Sequence, residues 1–274
     1  MTYFGFLAIF VVLPILALWA VAVWDTRRGI GIPAHLRSWR AQWIMFAHVI
    51  VAVLYTTPWD NYLVATRVWW YDPALVTGFV IWYVPIEEYT FFVLMTLLTA
   101  SWLLMMMRHT PEQAPAPNNA VRLRQTSTLA LFAVWLVFVA ILIFGWRPGT
   151  YMALLFVWAL PPIMLQTAFG ADILWRHRRV VWLTILPMTL YLAAADKLAI
   201  SSGTWTINPE QTVNVLILGR LPLEEFQFFF IVNVLITFGM TLVMSVESKA
   251  RAARYVAALR GMLTRKQTVE IGNE

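Results

Sequence analysis

Apolar runs of roughly 17–25 residues, long enough to cross a bilayer, recur along the whole chain between short polar turns. They predict spans over 2–24, 41–57, 74–107, 128–146, 150–174, 180–199 and 221–244. What remains between them is too short for a soluble domain. The pattern therefore predicts an all-α polytopic membrane protein of about seven transmembrane helices. Composition agrees: 61% of the 274 residues are hydrophobic and 12% charged, against about 25% charged in soluble domains. After the last span, Val256, Leu259 and Leu263 recur at helical spacing among arginines. Ser245–Lys266 thus reads as an amphipathic helix lying on the membrane surface.

The cations test the count independently. Of 20 Lys and Arg residues, all but Arg67, Arg147, Lys197 and Arg220 follow the first, third, fifth or seventh span. An even number of spans would scramble that alternation. The positive-inside rule then predicts an integral protein of the cell membrane, N-terminus outside and C-terminus in the cytoplasm. The net charge of +6 is membrane topology and does not point to nucleic acid. The first span lacks a charged leader and a small-residue cleavage site, so it reads as retained. With no cysteine, disulfides and thiolate metal sites are excluded.

Two halves of the chain align. Asp60-Asn61, Trp69, Pro73, Pro85, Glu87-Glu88 and Phe91-Phe92 match Asp196-Lys197, Trp205, Pro209, Pro222, Glu224-Glu225 and Phe228-Phe229 with a single one-residue gap. Upstream, Pro14 through Arg27-Arg28 matches Pro162 through Arg176 and Arg178 more loosely. The organisation predicted is a first repeat over 1–108 (spans one to three) and a linker with span four over 109–148. A second repeat follows over 149–246 (spans five to seven), and then a basic amphipathic tail over 247–274. Three crossings reverse the chain, so span four restores the orientation for the second copy. Repeats in parallel orientation are related by an axis along the membrane normal, which puts the two acidic motifs at one depth.

From Glu87 to Arg108 a helix rises about 31 Å, and from Glu224 to Lys249 about 37 Å. With the cations at the cytoplasmic edge, the four glutamates sit near the outer boundary of the apolar core. Asp60 and Asp196 reach a similar level, and Trp59, Trp69, Trp70, Tyr71, Trp82, Tyr83 and Trp205 surround the layer. Pro-x-Glu-Glu alone is an ordinary helix start. Two copies at membrane depth, each with an Asp at matched spacing, make candidate acid–base groups. Successive glutamates point about 100° apart. A proton-sharing pair is therefore expected between halves, or between Glu and the Asp of its own repeat. Aromatic faces nearby suit a cationic intermediate. His35, His48, His109 and His177 lack the grouping of a metal site. Gly29-Ile-Gly31 lacks the third glycine and preceding strand of a dinucleotide fingerprint. Span seven also lacks the lysine of a retinal Schiff base.

At Val84–Leu94 (VPIEEYTFFVL) and Leu221–Ile231 (LPLEEFQFFFI), the chain resembles the membrane-embedded lycopene cyclase family, and it does so over nearly all its length. The motif at Pro58–Asn61 (PWDN) and the run Trp69–Pro73 (WWYDP) fit as well. The second copy departs, with Lys197 for the Asn and Trp205-Thr-Ile for the aromatic run. The resemblance implies a flavin-independent, redox-neutral cyclisation of the acyclic ends of lycopene to β-ionone rings, through γ-carotene to β-carotene. It implies no cofactor and no metal. The carotenoid would enter from the bilayer, with membrane lipid and other carotenoid-pathway enzymes as partners. Expected acid–base residues are Glu87, Glu88, Glu224 and Glu225, assisted by Asp60 and Asp196. Trp59, Trp69, Trp70, Trp205, Phe91 and Phe228 are expected against the substrate. The competing classes are a proton-coupled transporter, which needs a polar path through cytoplasmic halves that read as nearly all apolar, and a non-catalytic carotenoid- or retinal-binding protein.

Overall fold

The computed structural model describes residues 1–271, and among them seven helices are long and apolar enough to cross a membrane. The first runs Tyr3–Arg27, with α1 (Tyr3–Leu7) and α2 (Leu13–Arg27) joined by a π-helical turn at Ala8–Val12. The others are α3 (Ala41–Ala65), α4 (Ile86–His109), α5 (Ala120–Phe144), α6 (Thr150–Arg176), α7 (Arg178–Ser201) and α8 (Leu223–Met244). A further helix, α9 (Val246–Ile271), follows at the Arg-rich end. On α9, Val256 is exposed. The side chains of Leu259 and Leu263 lie outside what is described.

Three boundaries differ most from the expected ones; at one of them α5 begins at Ala120, ahead of the expected 128. The third span was expected from residue 74, yet α4 starts at Ile86 with Pro85 as its N-cap. Residues 74–85 instead form a loop, turned by Gly78 at φ +80° and closed by β2 (Val80–Ile81) pairing with β3 (Val84–Pro85). The apolar run continues through this loop, so hydropathy alone cannot see the break that Pro73, Gly78 and Pro85 impose. The second span was expected to stop at 57, but α3 passes through Pro58 to Ala65. In the bundle, tertiary packing and side-chain donors offset the missing N–H.

The helices α4 and α8 occupy the middle: α4 packs on α2, α3, α7 and α8, while α8 packs on α3, α6 and α7. Helix α5 lies along α6 and buries none of its residues, as a lipid-facing helix should. Polar side chains tie the centre together. Thr99 Oγ1 donates to Asn233 Oδ1 at 2.7 Å, and Asn233 Nδ2 donates to Thr189 Oγ1 at 3.3 Å. In hydrocarbon each such bond between helices is worth about 0.6–2 kcal/mol. From their middles to the Arg-rich end, α4 and α8 are less apolar than they read. Thr96, Thr99, Asn233, Thr237 and Thr241 are all buried there.

Contacts come in matched pairs. Tyr55 Oη donates to the Trp158 carbonyl and Tyr191 Oη to the Phe10 carbonyl, both at 2.8 Å. At the opposite end from the arginines, β1 (Trp69–Tyr71) pairs antiparallel with β4 (Trp205–Ile207), with Trp70 across from Thr206. The ladder extends evenly on both sides, through Asn208 N to the Val68 carbonyl and Asp72 N to the Thr204 carbonyl. Ribbon β5 (Leu216–Ile217) with β6 (Leu221–Pro222) precedes α8 as β2–β3 precedes α4.

Two stability predictions arise here. At Gly170 a Cβ would press into the buried Leu242 side chain, where α6 and α8 touch. Gly170→Ala is therefore expected to cost about 1–3 kcal/mol through overpacking, read as a lower midpoint of thermal unfolding in micelles. His177, between α6 and α7, stacks on His35 at 5.4 Å. Burial, with His35 and Arg176 beside it, pushes its pKa down to about 4 from the ordinary 6.5. Between those values the unfolded chain binds more protons, so stability is expected to fall as pH drops from 6.5 towards 4. His177→Asn should flatten that slope; a slope identical to the parent's contradicts the assignment.

Candidate active site

Alternation along the paired strands sets the first wall of the site. Trp69 and Tyr71 of β1, with Trp205 and Ile207 of β4, face inward, while Trp70 and Thr206 point away. Beneath them α4 and α8 begin, each with two glutamates in its first turn. The 100° step between neighbours sends the two carboxyls of each pair to different places.

The first of each pair anchors a loop. Glu87 Oε1 accepts from the Thr77 N–H at 2.6 Å, and Glu224 Oε1 from the Val213 N–H at 2.7 Å. The second of each pair lines a central cavity. Glu88 Oε2 accepts from Tyr3 Oη at 2.5 Å and from Tyr71 Oη at 2.9 Å. Tyr71 Oη in turn accepts from Trp69 Nε1 at 3.1 Å. Glu225 Oε1 accepts from Tyr151 Oη at 2.7 Å. Burial, with Glu88 and Asp60 close by, pushes the Tyr71 hydroxyl well above the ordinary phenol value, so it remains an O–H donor at any physiological pH.

The aspartates complete the cluster. Asp196 lines the cavity, its Oδ1 accepting from Trp205 Nε1 at 3.0 Å. Asp60 is 1% exposed, and among the described residues neither of its oxygens has a hydrogen-bond partner. Among the described residues, no lysine or arginine lines the cavity. Its walls are aromatic: Tyr3 lies 4.9 Å from Trp205, Trp69 lies 5.3 Å from Tyr151, and Phe91 lies 6.4 Å from Phe229. The cavity volume is about 40 Å³, room for two or three waters. Such a chamber can deliver a proton, receive one, and hold positive charge between π-faces.

A family profile described as lycopene cyclase matches residues 1–106 and 148–243. The chain belongs to the lycopene cyclase family. Two strains of Halobacterium salinarum each have a lycopene beta-cyclase 38% identical over 248 residues, covering 88% of this chain and 95% of theirs. A bifunctional lycopene cyclase/phytoene synthase of Gibberella fujikuroi is 33% identical over 200 residues, which cover 70% of this chain and 33% of the fungal one. No solved structure matches the chain significantly.

Within this lycopene cyclase family fold, the expected site residues divide. Glu88, Glu225 and Asp196 meet in the cavity with Trp69, Trp205, Phe91 and Phe228. Glu87 and Glu224 turn to their loops, and Trp70 lies on the far side of its strand, lining an outer groove with Tyr83. Trp59 stands one layer back, stacked on Trp158 at 4.4 Å and on Phe228 at 6.1 Å. Trp82 is 71% exposed and Tyr83 62% exposed; the hairpin carries both away from the acidic layer they were expected to surround. Sequence reasoning missed Tyr3 and Tyr151, the phenols that hold the two cavity glutamates. A signal was present, since Tyr3 precedes Pro14 by the same interval as Tyr151 precedes Pro162.

Proposed function

We propose that this chain cyclises the acyclic ends of lycopene to β-ionone rings in one cavity shared by two three-helix repeats, over 1–108 and 149–246. One observation carries this reading. Glu88 from one half and Glu225 from the other open on a single aromatic chamber, in a chain of the lycopene cyclase family. The matched tyrosine and strand contacts support the duplication. Span four, within 109–148, restores orientation between the halves, and the basic tail is 247–274.

The reaction is an isomerisation without flavin. A carboxyl O–H gives its proton to the terminal alkene, whose π pair forms the new C–H bond and leaves a tertiary cation. A second alkene closes the ring on that cation. A carboxylate then takes a neighbouring proton, and the released C–H pair becomes the ring double bond. The aromatic walls stabilise the cation in between. Since the chamber holds only a few waters, the carotenoid end enters laterally from lipid by displacing wall side chains. Membrane lipid and other carotenoid-pathway enzymes are the remaining partners in this reading.

The competing transporter needs a continuous polar path. Thr96 and Thr184 donate to carbonyls of their own helices, while Thr99, Asn233, Thr189, Ser101 and Gln166 are each taken up by bonds between helices. That arrangement favours a packed core. Expression in a lycopene-accumulating host, followed by pigment chromatography, tests the cyclase reading: cyclised carotenoid is expected, and unchanged lycopene beside well-folded protein rejects it. The cation pattern further supports an outside N-terminus, which a reporter fused at either end should register on opposite faces of the membrane.

A further inference from the structure

The two cavity glutamates are related by the repeat but held differently. Position 71 is tyrosine, while its counterpart 207 is isoleucine. The consequence runs through the paired tryptophans. Trp69 Nε1 donates to Tyr71 Oη, which passes its own hydrogen to Glu88. Trp205 Nε1 has no hydroxyl at 207 to meet, and donates to Asp196 instead. Glu88 Oε2 thus accepts two phenolic hydrogens, one from each side, and Glu225 accepts one. With both lone pairs of Oε2 engaged, any proton on Glu88 has to sit on Oε1. Charge-assisted bonds of this kind stabilise negative charge on the acceptor.

We propose that the halves divide the chemistry: Glu225 is the acid that starts cyclisation, Glu88 is the base that ends it, and Tyr71 is the positioning residue that sets Glu88 on one ring proton. This rests on reading the cavity as a cyclisation site. In each cycle the O–H bond of Glu225 breaks as the C–H bond forms at the alkene. Ring closure moves the cation to the ring carbon. The Glu88 carboxylate then takes the proton from the adjacent carbon, fixing where the double bond lies. Glu88 ends protonated and Glu225 ionised, and the proton returns across the chamber that both line, with no co-reactant consumed. The acid decides whether a cation forms; the base decides which ring isomer leaves.

That difference can be measured with full-length protein in lycopene-loaded vesicles, scoring residual products by chromatography after long incubation. Glu225→Gln is expected to leave almost all lycopene acyclic, with the trace product keeping the parent's ring pattern. Glu88→Gln is expected to give a shifted pattern, with rings whose double bond lies elsewhere or that carry a hydroxyl from water. Tyr71→Phe removes one of two donors to the carboxylate and should lower turnover about tenfold or more while moving the pattern in the same direction as Glu88→Gln. A partly misfolded enzyme makes less product in an unchanged ratio, so the ratio separates positioning from simple damage. A shifted pattern in Glu225→Gln with a normal one in Glu88→Gln reverses the roles. Should Glu88→Gln make no product, Tyr71→Phe decides, and an unaltered ratio there overturns the proposal. Parent protein that converts nothing rejects the cyclase reading itself, a different outcome from any of these.

Discussion

Glu88→Gln and Glu225→Gln are expected to lower lycopene turnover by about 10²–10⁴-fold, the range for removing a positioned acid or base. Glu87→Gln and Glu224→Gln are expected to stay within about tenfold of the parent, as changes to groups that hold loops rather than reacting atoms. All four residues sit in equivalent first turns, and the sequence offers no reason to treat them differently. The geometry does. Glu87 and Glu224 are spent on the Thr77 and Val213 amides, and a glutamine keeps the carbonyl oxygen that accepts those bonds. Glu88 and Glu225 line the aromatic chamber, and a glutamine there can neither give nor take a proton. Kinetics of the four single variants in micelles check this pattern. Equal losses across all four would return the site to the motif as a whole, and full activity in Glu88→Gln and Glu225→Gln would remove acid–base chemistry from it.

The second large effect lies at the Arg-rich end. Arg251 of α9 donates to both carboxylate oxygens of Asp172 on α6, at 2.8 and 2.6 Å, and to the Phe169 carbonyl at 2.6 Å. Both side chains are below 10% exposed, and Arg124 stands 3.6 Å from the same carboxylate. Removing Asp172 leaves two guanidinium groups facing each other with no anion between them. Asp172→Ala is expected to cost about 3 kcal/mol, the lower end for breaking a buried pair, because the groove beside it admits water. Arg251→Ala should cost less, since Arg124 still stands beside the carboxylate. The double variant should lose less than the sum of the singles, because each removes the same interaction. Thermal unfolding of the three proteins in micelles measures this. Strict additivity would show that Asp172 and Arg251 do not depend on each other, and that α9 is held by other contacts.

Most of the architecture could be read from the chain because bilayer crossing imposes a long apolar run and a cation bias at each end. Seven spans and the all-α class follow from that physics. Span ends were harder, since the apolar stretch around Val80 and Val84 belongs to a hairpin and only its prolines and Gly78 betray it. In the site, the acidic residues were legible as a group, and their separate duties were not. Which of two neighbouring glutamates faces inward depends on how α4 and α8 rotate against the strands, a matter of tertiary packing. Trp69 and Trp70 differ for a simpler reason, strand alternation, but only once β1 is known to be a strand. Tyr3 and Tyr151 escaped because each lies just inside the start of a hydrophobic span, where a tyrosine reads as an interfacial anchor.

The central claim is that carboxyls from the two halves of this chain suffice to close the ring. Purified full-length protein should therefore be given lycopene in micelles without added nucleotide, and the pigment followed by chromatography and mass. The expected result is conversion to a carotenoid of the same mass that absorbs at slightly shorter wavelength, because the ring double bond twists out of the polyene plane, and no conversion by the Glu88→Gln, Glu225→Gln double variant. Lycopene left unchanged by the parent protein, or a product differing in mass, would contradict it.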